Sequence, residues 1–93
     1  MECSGVKFTR HGLERMFERE VSPSAVLRIV NEGEVIASYL EDLPFPSVLL
    51  LGFDGARPLH VLVARDPQTG VCFVVTVCPP DPQLWSADFR SRR

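Results

Sequence analysis

Hydrophobic and polar positions change their spacing once along this chain, near Gly33. Before it, apolar residues recur at three and four, the period of a helix; after it, they come in short runs separated by turn residues. Thr9 is a suitable N-cap for a helix from about Arg10 to Glu20, with Leu13, Met16 and Phe17 as its apolar stripe. Ser22-Pro23 starts a second helix: Ser22 caps, and Pro23 occupies the first helical position, where its missing N–H costs nothing. Val26, Ile29 and Val30 mark its buried face, with Leu27 beside them, and Gly33 is the expected stop. The short connection predicts a helix hairpin.

The remainder reads as four strands: Val35–Leu40, Ser47–Phe53, Leu59–Arg65 and Val71–Cys78. Asp54-Gly55 and Asp66-Pro67-Gln68-Thr69-Gly70 are turn signals between them. Prolines bar the segments around Pro44-Phe45-Pro46 and Pro79-Pro80-Asp81-Pro82 from a central strand. Met1–Phe8 reads as an arm or short strand. The expected architecture is α+β in the order ααββββ, an N-terminal helix hairpin packed on one face of an antiparallel β-sheet, in one domain over residues 1–93.

Composition narrows the chemistry. The chain has 93 residues, 45% of them hydrophobic, enough for one core without covalent staples. Its formal net charge of -2 gives no global cationic field, so any anion site must be local. Lys7 is the only lysine, and every other basic residue is arginine, which grips phosphate or carboxylate through paired N–H bonds. A GC-rich genome would also enrich arginine. The N-terminus has no apolar core of a signal peptide and no run is long enough to cross a membrane, so a cytoplasmic address is expected. Cys3, Cys72 and Cys78 form no C-x-x-C pair, which indicates neither a zinc ribbon nor a disulfide framework. Buried free thiols are expected, and no metal or cofactor. Two-residue alternation puts Cys72 and Cys78 on one strand face with Val74 and Thr76.

Candidate chemistry gathers at four places. On a helical wheel His11, Arg15 and Arg19 form a stripe nearly opposite Leu13, Met16 and Phe17, where an anion would offset the repulsion of like charges at i, i+4. Glu14 and Glu18, interleaved there, are equally consistent with an ordinary solvated face. His60 lies in the third strand, and histidine is the usual acid–base group near neutral pH. Thr76 and Cys78 end the fourth strand. The tail sets Trp85 near Arg90, Arg92 and Arg93, which suits base stacking with phosphate contact, or a core-closing Trp85 with a frayed end.

The string from Phe8 to Arg19, then Ser22 and Gly33-Glu34, resembles the start of a small prokaryotic family, domain of unknown function 4258. Asp42–Ser47, Arg57–Leu62, Thr76–Asp81 and Trp85 look similar to its later signature, over about residues 6 to 93. The family itself resembles the RelE-like and MqsR-like toxins of toxin–antitoxin systems, metal-independent ribonucleases with a helix pair on an antiparallel sheet. That resemblance implies a cytoplasmic endoribonuclease acting on RNA, including ribosome-bound mRNA, with a small, zinc-binding antitoxin as partner. His11 and His60 would share acid and base duties with Arg15 at the phosphate; Arg19, Arg90 and Arg92 would bind RNA; Thr76, Cys78 and Trp85 would be neighbours. The chain departs from the family pattern at Cys78, where tyrosine is usual. Other classes stand beside this one: a non-catalytic module that docks a partner by an edge strand or by the arginine stripe, and a redox or metal sensor using Cys72 and Cys78.

Overall fold

A computed structural model describes residues Met1–Arg93. The elements are β1 (Gly5–Phe8), α1 (Arg10–Glu18), α2 (Pro23–Glu32), β2 (Glu34–Tyr39), β3 (Ser47–Asp54), β4 (Arg57–Arg65) and β5 (Val71–Cys78). The expected helices and four C-terminal strands are all present. The N-terminal arm adds a fifth strand, giving one sheet in the order β1-β5-β4-β3-β2. β1 runs parallel to β5, whereas the other neighbours are antiparallel, so the sheet is mixed and the expected all-antiparallel sheet is corrected.

Local chemistry sets the helix ends. The Thr9 hydroxyl accepts from the Gly12 N–H at 3.0 Å and lies 3.0 Å from the Val74 carbonyl, to which it donates. One side chain thus caps α1 and fastens its start to β5. Ser22 accepts from the Ala25 N–H, and Pro23 opens α2 as anticipated. α1 stops at Glu18, two residues short of expectation, because Glu20 takes a left-handed φ of 55°. Arg57, reaching over from β4, donates to the freed carbonyls of Arg19 at 2.6 Å and Glu20 at 3.5 Å.

The two helices lie against different parts of the sheet. α2 covers β3 and β4, whereas α1 lies along β5. Val26, Ile29 and Val30 meet Leu50, Leu59, Val61, Val63, Val74 and Val77 in the core. α1 does not bury its expected stripe: Leu13 is 49% and Phe17 88% exposed, while Gly12 and Met16 are buried. A Cβ at Gly12 would stand 2.5 Å from the Val74 carbonyl oxygen, so the bare glycine is what lets α1 lie this close to β5. With His11 at zero on the wheel, the buried direction falls at about 120°, leaving Arg19 only about 40° from it. The His11–Arg15–Arg19 stripe therefore flanks the buried face instead of opposing it.

A bulge in β5 decides which side chains share a face. Leu62 pairs with Thr76 but Val63 pairs with Val74, leaving Val75 as the extra residue. Cys72 and Val74 consequently face the helices, and Thr76 and Cys78 face the other way. Cys72 is fully buried and bonded to Cys3 across a sequence separation of 69. This corrects the expectation of free buried thiols: only Cys78 remains free. It also removes the Cys72–Cys78 pair as a sensor.

Candidate functional site on the sheet face opposite the helices

The face of the sheet turned away from α2 carries the chemistry. In register on it stand Leu51, His60 and Cys78, then Leu49, Leu62 and Thr76. The second row is half-exposed at all three positions and forms a floor. At one end the loop before β3 closes over it, with Phe45 stacked on Phe73 at 5.7 Å. A cleft of about 190 Å³ opens there, lined by Thr9, Pro44, Phe45, Ala64, Phe73 and Val75. At the other end the C-terminal segment lies across His60.

His60 is the centre of this arrangement and is only 2% exposed. Its Nε2 lies 2.9 Å from the Phe89 carbonyl oxygen. A carbonyl only accepts, so Nε2 carries the proton and the lone pair sits on Nδ1. Burial pushes the imidazole below its ordinary value near 6.5, with the Phe89 carbonyl acting weakly in the opposite sense. At neutral pH the ring is therefore neutral, in one tautomer, with a single basic nitrogen. Trp85 meets it edge-on at 4.5 Å, and the Arg92 guanidinium lies 5.3 Å from the centre of the Trp85 ring. Cys78, the cross-strand neighbour of His60, is half-buried; burial holds its thiol protonated, though nearby Arg19 acts the other way. Such a thiol is a poor nucleophile.

The structure brings together His60, Thr76, Cys78, Trp85 and Arg92, with Arg19 at the margin. Arg19 donates to the Val77 carbonyl at 3.1 Å, so part of its guanidinium is structural. Arg90 is bound to Glu34 at 2.8 Å and to Asp88 at 3.5 Å. Arg15 is paired with Glu18 at 2.7 Å. His11 is exposed and makes no hydrogen bond or ion pair. α1 begins beside Val74, whereas His60 lies opposite Cys78, four residues on, which is about 13 Å of strand. No contact links His11 or Arg15 to His60.

Several participants escaped the sequence reading. Phe89 acts through its backbone carbonyl, which no residue type announces. Glu34 and Arg57 act by reaching across the fold. No group of three or more His, Cys, Asp or Glu side chains is assembled at any point.

The fold and this face define a small α+β domain with one buried, oriented histidine. The family model for a domain of unknown function, DUF4258, matches residues 8–79, and the chain belongs to that family. No curated protein and no solved structure matches it.

Proposed function

We propose that this chain is a toxin-type, metal-independent endoribonuclease of RelE-like kind, working on RNA across the sheet face that carries His60. The observation that carries the reading is the neutral, single-tautomer imidazole of His60 beside the Trp85–Arg92 pair. Cleavage of RNA without a metal needs a base for the 2′-hydroxyl, cations for the charge growing on the phosphate, and an acid for the leaving 5′-oxygen. His60 Nδ1 supplies the base. Arg92, with no carboxylate partner, and the uncommitted part of Arg19 supply positive charge. Trp85 at one end of the face and Phe45 on Phe73 at the other give two aromatic platforms on which unpaired bases stack. His11 and Arg15, about 13 Å of strand from His60, are too far away to share one phosphate with it. They serve as a second contact with the RNA, and the leaving 5′-oxygen takes its proton from solvent water while His60 holds the proton of the 2′-hydroxyl.

An RNA target places the protein in the cytoplasm, where thiols are kept reduced. The domain must then hold with Cys3 and Cys72 unbonded, which its apolar core supports. No helix is long and apolar enough to cross a membrane. A small antitoxin remains the expected partner.

The test is purified protein with end-labelled RNA in a chelator, comparing the wild type with His60→Gln and Arg92→Ala. Gln keeps an N–H for the Phe89 carbonyl but offers no base. Cleavage giving 2′,3′-cyclic phosphate ends, lost on His60→Gln and weakened on Arg92→Ala, is the expected result. Intact RNA with all three proteins folded overturns the reading.

A second reading, a non-catalytic docking module, is favoured by one observation: Leu13 and Phe17 present an exposed apolar pair one turn apart on α1. Retained affinity for a partner protein together with inert RNA would select it.

A further inference from the structure

We propose that residues Trp85–Arg93 form a strap that opens and closes over His60, so that the closed chain is the resting form of the site. The idea rests on the His60 face being the functional one, and it adds how access to that face is controlled.

The strap is closed on itself. The Ser86 N–H donates to the Ser91 carbonyl at 2.7 Å, the Arg93 N–H to the Leu84 carbonyl at 2.9 Å, and the Phe89 N–H to the Ser86 carbonyl at 2.9 Å. Ser86 and Asp88 side chains brace the same loop. A segment that satisfies its own backbone moves as a unit without exposing unpaired groups. Its polar ties to the sheet are two, His60 to the Phe89 carbonyl and Arg90 to Glu34 on β2, while Trp85 N–H to the Asp81 carbonyl, Arg93 N–H to the Leu84 carbonyl and Arg93 Nε to the Pro82 carbonyl fasten it to the connecting arm. The Arg90–Glu34 pair is half-exposed on both sides, so it is a weak tie. The remaining hold is apolar, from Trp85 edge-on to His60 and from the mostly buried Phe89 side chain.

The connection to the sheet suits a pivot. Pro79, Pro80 and Pro82 have no N–H to extend a ladder from β5, while Pro80 is buried and fixes the base of the arm. Phe89, which supplies the covering carbonyl, sits at a left-handed φ of 63°, a conformation costly for a non-glycine residue. The strap lies past residue 79, where the family model's match ends.

Opening would uncover the imidazole together with Leu51 and Cys78 beside it, joining them to the half-exposed floor of Leu49, Leu62 and Thr76. A single-stranded, anionic chain entering along that floor would meet Arg92 on the strap, and reclosing over it would restore the Phe89 carbonyl to Nε2 and Trp85 to the ring.

The experiment measures how fast diethyl pyrocarbonate modifies each histidine, read by peptide mass, with exposed His11 as the internal reference. The wild type is compared with Glu34→Gln, and hydrogen exchange is followed in both. A strap predicts slow modification of His60 in the wild type and a rise of about two- to fivefold in the variant, the worth of one exposed ion pair. Amides of Ser86, Ser91 and Arg93, bonded within the strap and its base, should keep their protection as it moves as a unit, as should those of β4 and β5. Equal His60 rates in the two proteins, or His60 reacting only as fast as β4 amides exchange, would overturn the proposal. Adding a single-stranded RNA oligonucleotide separates it from the functional reading. RNA that protects His60 in the opened variant supports both; an open strap that RNA does not affect keeps the strap and removes the RNA assignment.

Discussion

At the scale of single residues, position in the fold outweighs residue type. Gly12 is in a helix, where Ala is ordinarily better by about 1 kcal/mol. Here the added Cβ would meet the Val74 carbonyl, so Gly12→Ala should destabilise by about 1–3 kcal/mol in urea unfolding. A gain in stability would show that α1 does not lie against β5 as described. His60 gives a second prediction. Its value is depressed in the fold, so between that value and about 6.5 the unfolded chain binds more protons than the native one. Stability from this group is complete above about 6.5 and falls as the pH drops through that window. The melting temperature should therefore decline from pH 7.5 to 5.5, and the decline should shrink in His60→Gln. An unchanged slope in that variant would mean that His60 is not held neutral by burial.

At the scale of elements, period and punctuation made most of the fold legible. Ser22-Pro23, Gly33, Asp54-Gly55 and the turn ending at Gly70 each mark a real boundary. Three things were hidden, each for a physical reason. The N-terminal segment reads as an arm or short strand, but the parallel pairing of β1, only Gly5–Phe8, with β5 leaves no mark in so short a stretch. The α1 stripe was misread because Leu13 and Phe17 outrank Gly12 in hydrophobicity, while close approach to β5 selects the residue with no side chain. The bulge at Val75 inverts the alternation, so Cys72 and Cys78 part company. The difference between buried and exposed apolar positions can be measured. Leu50→Ala, from a side chain with no exposure, should cost about 2–5 kcal/mol, whereas Phe17→Ala should stay within about 0.5 kcal/mol. A large loss at Phe17 would mean that it is covered in solution.

At the scale of the whole molecule, the candidate site is assembled by elements far apart in sequence. His60 was visible as one of two histidines, and Trp85 and Arg92 as a basic aromatic tail. Their meeting on one face, with Phe89 fixing the tautomer, depends on the chain returning over the sheet, which no local pattern encodes. The Cys3–Cys72 bond likewise joins residues 69 apart in sequence, at the neighbouring starts of β1 and β5. Its closure of a long loop should contribute about 2–4 kcal/mol, and the reduced protein should remain folded but melt lower. Identical melting with and without reductant would mean that the bond does not form.

If the His60 face acts on RNA, induced expression of the protein should arrest growth. Wild type, His60→Gln, His11→Ala and Arg15→Ala are expressed to matched soluble levels. The wild type should arrest growth with RNA breakdown; His60→Gln should abolish the arrest, and His11→Ala and Arg15→Ala should reduce it. A well-expressed, soluble wild type that leaves growth and RNA intact would contradict the RNA assignment.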